Sequence, residues 1–257
     1  MKTNTDRYQV LQSDATTRLP VIFLIDQSFS MRMTFGGTPT GETVEKDGKT
    51  WHYAEGGKML ITTLLEGIKK YAEEIRGDTR ASVCVELCVL SFGDNTHIIQ
   101  DFQPISTETI DIDPNDANTN LGRAVKVAIQ LLQRRKSEYT GYGIDCYQPQ
   151  LVIFTDGMAT DIGECKSIAA EVQTLMKAGK LVCVPFLIGT EEGAQVLSMF
   201  GPENEVFALD TQALLEVLKF LSGSAIAVSK SQAGDSGEET KKMLEALRKK
   251  AKDWKTI

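Results

Sequence analysis

A chain of 257 residues that is 42% apolar and 25% charged has ordinary globular composition, and it is long enough to bury a core without disulfides or metals. Its 35 acidic against 28 basic residues, a net charge of -7, weigh against nucleic acid or an anionic membrane as the main partner. The longest apolar stretch, 181–188, falls far short of the ~20 residues that span a bilayer. The polar start Met1-Lys2-Thr3-Asn4 carries no export core, so a cytoplasmic protein is expected.

The first predicted element is a core strand over 20–25, a branched apolar run too short for a buried helix. Residues 32–53 are rich in Gly, Thr and charge; Asp47-Gly48 predicts a small hairpin within 43–53. A helix over 54–76 follows, with Leu60, Leu64, Ile68, Tyr71 and Ile75 at helical spacing, closed by Gly77-Asp78. Residues 81–92 read as a strand with Val83, Val85, Leu87 and Val89 on one face. A turn at 93–96 and a strand over 97–102 complete an antiparallel pair. The rhythm then changes to helix 121–135, strand 150–155, helix 162–177, strand 181–188, short helix 192–200, strand 206–209 and helix 211–221.

Strands alternating with helices of this length predict an α/β fold. Its core is a doubly wound, mostly parallel, Rossmann-like sheet with one antiparallel edge strand and helices on both faces. The expected organisation is an N-terminal extension (1–18), a domain (19–228) carrying the 32–53 insertion, a linker (229–237) and an amphipathic helix (238–257). Met243, Leu247, Ala251 and Trp254 form the stripe of that last helix. It can seat in a partner's groove, fold back on its own domain or pair with a second copy, and the residues leave these open.

The five cysteines, Cys84, Cys88, Cys146, Cys165 and Cys183, are odd in number and lack CxxC spacing. With only two histidines, no zinc constellation is recognisable. They read as reduced, mostly buried thiols.

Two predicted strands end in aspartate, at Asp26-Gln27-Ser28-Phe29-Ser30 and at Thr155-Asp156-Gly157. Ligands of a doubly wound sheet bind at the carboxyl ends of strands where the strand order reverses. If these two strands are neighbours there, Asp26, Ser28, Ser30, Asp156 and Thr119 of the loop opening the 121–135 helix gather at one edge. Two close carboxylates repel unless a cation neutralises them. A hard-oxygen set of this kind suits a divalent cation, Mg²⁺ foremost and Mn²⁺ or Ca²⁺ as alternatives. The bland readings are turn-capping by Asp26 and helix-capping by Thr119 or its neighbours. Asp111, Asp113 and Asp116 do not make an EF-hand, since Asp116 stands where Gly is needed and Gly122 where Glu is needed. Tyr139, Tyr142, Tyr147 and Trp51 are candidate interface aromatics.

Asp26-x-Ser28-x-Ser30 after an apolar strand, Thr119 before a Leu-x-x-Ala helix, and Thr155-Asp156-Gly157 after a later strand resemble a von Willebrand factor type A (VWA) domain with its metal-ion-dependent adhesion site. The resemblance covers about residues 18–226. It implies that Asp26, Ser28, Ser30, Thr119 and Asp156 are the metal residues, with the hydroxyls binding directly and the aspartates partly through water. Leu19-Pro20, the run Tyr147 to Gly157 with Thr160-Asp161, and Phe220-Leu221-Ser222 narrow the resemblance to bacterial TerY-like proteins. That subtype implies a place in tellurite-resistance or stress systems, with a protein kinase or PP2C-type phosphatase as partner. Phe29 stands where the family usually has Gly, Asn118 where it often has Gly, and the 32–53 insertion lies beside the metal edge.

The residues favour a binding module over an enzyme. A haloacid-dehalogenase-like phosphatase needs a second Asp two residues after the first, and Ser28 stands there. The turn after the first strand lacks the glycines of a dinucleotide site, and neither a GxxxxGK[ST] loop nor a GxSxG elbow occurs. The alternative is a metal-dependent hydrolase or phosphatase on the same Rossmann-like fold.

Overall fold

A computed structural model describes residues 16–254, apart from 36, 47, 107, 190–191 and 232–235. In chain order the elements are β1 (Leu19–Asp26), β2 (Thr34–Phe35), β3 (Thr38–Lys46), β4 (Lys49–Glu55), β5 (Lys58–Met59), α1 (Leu60–Gly77) and α2 (Ala81–Cys84). Then come β6 (Val85–Phe92), β7 (Thr96–Pro104), α3 (Leu121–Gly141), β8 (Gln150–Thr155), α4 (Ile162–Lys177) and β9 (Val182–Ile188). The chain continues through α5 (Ala194–Leu197), β10 (Phe207–Leu209), α6 (Thr211–Lys230) and α7 (Ser236–Trp254).

Alternation along β1 sets the layers. Every residue of this strand is buried. Leu19, Val21, Phe23 and Ile25 enter one core with α1, α6 and α7, while Ile22 and Leu24 enter the other with α3 and α4. Such a strand must lie between two helical layers, hence its unbroken apolar run. The main sheet has the order β10-β9-β8-β1-β6-β7, parallel throughout except for antiparallel β7 at one edge. The chain winds from β1 to one side through β6 and β7, then crosses to the other through β8, β9 and β10. The order therefore reverses between β1 and β8, as the doubly wound α/β expectation requires.

Several boundaries differ from the sequence expectation, among them the end of the 211–221 helix, which runs on to Lys230. The insertion's hairpin pairs over Thr38–Glu55, and α1 begins only at Leu60, because β5 first pairs with β2. Residues 81–84 form a helical turn rather than the start of a strand. Asp78 Oδ1 accepts the Arg80 and Ala81 amides at 3.1 and 3.0 Å and fixes that turn, leaving Val83 43% exposed. α3 runs on to Gly141 because its last turns bury Arg135 and Tyr139 against Glu86, at 2.7 and 2.5 Å.

The terminal helix takes one of the three placements left open. Met243, Leu247 and Ala251 of α7 join the core of Phe207, Leu209 and α6. Arg248 pairs with Glu205 and Glu203 at 2.7 and 3.1 Å, and Thr240 Oγ1 donates to Gln148 Oε1 at 3.1 Å. The expected linker begins inside α6, and 232–235 lie outside the described residues. Of the expected extension, 1–15 also lie outside them, while Arg18 is buried and bonded to the Val83 carbonyl. None of the five cysteines is in a disulfide; burial pushes the Cys84, Cys146 and Cys165 thiols up to about 12. Among the described residues no helix is long and apolar enough to cross a membrane.

Candidate functional site

The site is built at the carboxyl ends of β1 and β8, which pair in register up to Ile25 and Phe154. Asp26 is fully buried at the end of β1. Its Oδ1 accepts the Ser28 amide at 2.7 Å and its Oδ2 accepts the Thr155 hydroxyl at 2.5 Å. After Ser28 the chain turns through a short 3₁₀ segment, Phe29–Arg32, which brings Ser30 back over the strand end. The Ser28 and Ser30 hydroxyls stand 3.0 Å apart, and Ser30 Oγ donates to Asp156 Oδ1 at 2.8 Å. Ser28, Ser30 and Asp156 thus form one hydrogen-bonded chain of oxygens, to which the Ser28 amide ties Asp26.

Thr119 joins through its backbone. Its amide donates to Thr160 Oγ1 at 3.2 Å and its carbonyl accepts the Thr160 amide at 2.9 Å, so the loop before α3 is stapled to the loop after β8. The residue is buried. The same loop pairs with the segment after β1: Phe29 N–H donates to the Asp116 carbonyl at 2.9 Å and Asn115 N–H to the Gln27 carbonyl at 3.0 Å.

Several supporting roles are not visible in the sequence. Asp116 Oδ2 accepts Gln27 Nε2 at 2.7 Å and the Asp94 amide at 2.8 Å. Gly93 makes room for it, since a Cβ there would lie 2.3 Å from that oxygen. Asp161 precedes α4, the place of a helix cap, but its carboxylate accepts the Gly122 and Arg123 amides of α3 at 3.1 and 2.9 Å. A cap residue is legible in sequence; which helix it caps is not.

Burial pushes the Asp26 carboxyl up to about 6, against the opposing hydrogen bonds from Thr155 and Ser28, and the Asp116 charge adds to the rise. A nearby cation would reverse that shift. Among the described residues no group of three or more His, Cys, Asp or Glu comes together to hold a metal. A cation at this edge would therefore depend on hydroxyls as well as carboxylates. The donor set fits a hard divalent ion: hydroxyl and carboxylate oxygens, with neither sulfur nor imidazole.

The other candidates are not part of the oxygen cluster itself. Tyr139 and Tyr147 are buried, the latter with its hydroxyl 2.8 Å from the Ser231 carbonyl. Asp113 pairs with Arg32 at 2.5 Å. Trp51 packs edge-on against Phe29. A groove of about 750 Å³ lined by Ile61, Leu65 and Ile68 of α1 and by Ile110 has none of the five candidate oxygen residues in its wall.

The fold is that of VWA domains. The chain is similar to the VWA domain of the type V pilus tip protein Mfa5 from Porphyromonas gingivalis, with TM-score 0.59 and 10% identity over 85% of this chain and 98% of that one. It is similar to a VWA protein from Catenulispora acidiphila, with TM-score 0.51 and 12% identity over 82% of this chain and 43% of that one. A third likeness is to proximal thread matrix protein 1 of the mussel byssus, in a structure whose MIDAS motif is occupied by zinc. There the TM-score is 0.50 and the identity 16%, over 81% of this chain and 48% of that one. The chain thus spans about half the length of the byssus structures it matches. No protein-family model matches the chain, and no curated protein does.

Proposed function

We propose that the chain is a non-enzymatic, metal-dependent protein-interaction module. In this reading Asp26, Ser28, Ser30, Thr119 and Asp156 hold a divalent cation, Mg²⁺ before Mn²⁺ or Ca²⁺, and the edge grips an acidic residue of a protein partner. The observation that carries it is the Ser28–Ser30–Asp156 chain of oxygens beside buried Asp26, at the reversal between β1 and β8. The zinc-occupied motif of the similar byssus protein supports a divalent ion on this fold. A bound cation would supply an open coordination position to an incoming carboxylate. The protein's own residues orient that position: Thr155 and the Ser28 amide fix Asp26, and Asp156 fixes Ser30. An Asp26 carboxylate held at both oxygens is poorly placed as a nucleophile, which favours binding over hydrolysis.

The finer reading rests on sequence resemblance. It is a TerY-like VWA protein, cytoplasmic, in a tellurite-resistance or stress system, with a kinase or PP2C-type phosphatase among its partners. Residues 19–228 form the VWA unit. Mg²⁺ at 100 times its dissociation constant is expected to stabilise the wild type by about 2.7 kcal/mol, read as a rise in Tm. Asp26→Ala/Ser28→Ala abolishes that rise. Proteins that co-purify with wild type in Mg²⁺, but not with the double variant or after EDTA, are the partners. Equal Tm with Mg²⁺ and with EDTA would overturn the reading.

A further inference from the structure

Phe29 sits between Ser28 and Ser30, and its ring meets Trp51 of β4 edge-on, with 5.4 Å between centroids and 80° between planes. The Arg32 guanidinium lies 5.7 Å from the Phe29 centroid. Arg32 is itself tied to the Pro114 carbonyl and to Asp113, each at 2.5 Å. The insertion's hairpin is therefore pinned beside the oxygen cluster by an aromatic contact that no hydrogen bond of the cluster requires. On the Asp156 side, Gly157 lies against Ser30, since a Cβ there would stand 3.9 Å from Ser30 Oγ. The next residue, Met158, is 59% exposed. A polar centre is thus bordered by apolar side chains from the hairpin, from the first loop and from the loop after β8.

We infer that Phe29, Trp51 and Met158 form an apolar rim to the docking edge, and that the partner segment it fits carries an acidic residue flanked by bulky aromatic side chains. The inference rests on the metal-edge reading. The edge holds the Asp26, Asp156 and Asp116 carboxylates, so it attracts an acid only with a cation in place, and the acidic residue goes to the cation. The flanking side chains then cover the rim and exclude water from the charged contact. The half-buried Trp51 and Phe29 rings, already packed edge to face, present their outer parts to an aromatic neighbour, and the Met158 thioether adapts to its outline.

Two blocked pentapeptides test this, each with one central Glu, flanked in one by Phe and in the other by Gly. They are titrated into the full chain carrying Trp254→Phe, with Trp51 emission as the readout, in Mg²⁺ and in EDTA. The Phe-flanked peptide is expected to bind about two- to tenfold tighter in Mg²⁺. Trp51→Ala, followed by peptide NMR line broadening, should abolish the preference; Trp51→Phe should retain it. Binding that needs Mg²⁺ but is equal for both peptides overturns this inference and leaves the metal edge standing. Binding of neither peptide above its EDTA level overturns the metal edge and this inference with it.

Discussion

Ser30 is bonded on one side to Asp156 and neighbours the Ser28 hydroxyl on the other, so it links the two halves of the oxygen cluster. Ser30→Ala is expected to weaken Mg²⁺ binding at least about tenfold, while lowering unfolding free energy by no more than about 1.5 kcal/mol. Calorimetric titration and urea unfolding check the two halves of that statement. Gly93→Ala should do the reverse in proportion. Its Cβ, 2.3 Å from Asp116 Oδ2, must displace that side chain, at a cost of about 1–3 kcal/mol seen as a lower urea midpoint. The difference also marks what a sequence can show. Asp26, Ser28, Ser30 and Asp156 were legible because strand-end aspartates and hydroxyls at spacing two announce themselves. Gly93, Asp116, Thr160 and Asp161 were not, because their roles depend on which loops meet. Thr119 was legible as a candidate, and its staple to Thr160 was not.

Elements with one strong period are the most legible: the expected 150–155 and 162–177 coincide with β8 and α4. Residues 81–84 instead form a helical turn fixed by Asp78, three residues before it, although Val83 continues the alternation of the strand that follows. The end of α3 was extended by burial of an ion pair. Glu86 is nearly inaccessible and Arg135 closes on it at 2.7 Å. Arg135→Met is expected to cost about 3–5 kcal/mol by leaving Glu86 uncompensated, and Glu86→Met/Arg135→Met much less. The C-terminal helix has a similar test. Leu247 is fully buried against its own domain. Leu247→Ala should cost about 2–5 kcal/mol in denaturant unfolding. A helix swung free to hold a partner would show almost none of that loss.

At the scale of the whole molecule, the layered sheet encloses its thiols. Cys84, Cys88, Cys165 and Cys183 are buried, and burial holds the thiol of Cys183 above its ordinary range. An aromatic disulfide reagent is therefore expected to react slowly with these four in the native chain, half-buried Cys146 being the most accessible thiol, and to count five only once the chain unfolds. Rapid labelling of more than one thiol per chain at neutral pH would contradict the packing described. The fold class was legible here from the alternation of strands and helices, but not the crossing from β7 to β8, which no local pattern encodes.

That crossing has a kinetic corollary. The Thr155–Asp26 bond closes 129 residues of chain, so the cluster of oxygens exists only after both flanks of β1 have docked. A nascent chain stalled before β8 owns the first aspartate and both serines, yet has nothing to complete the ring around an ion. On the proposed metal reading, grip on a companion would be withheld until synthesis has passed the second half of the sheet, and half-made copies would not compete for it.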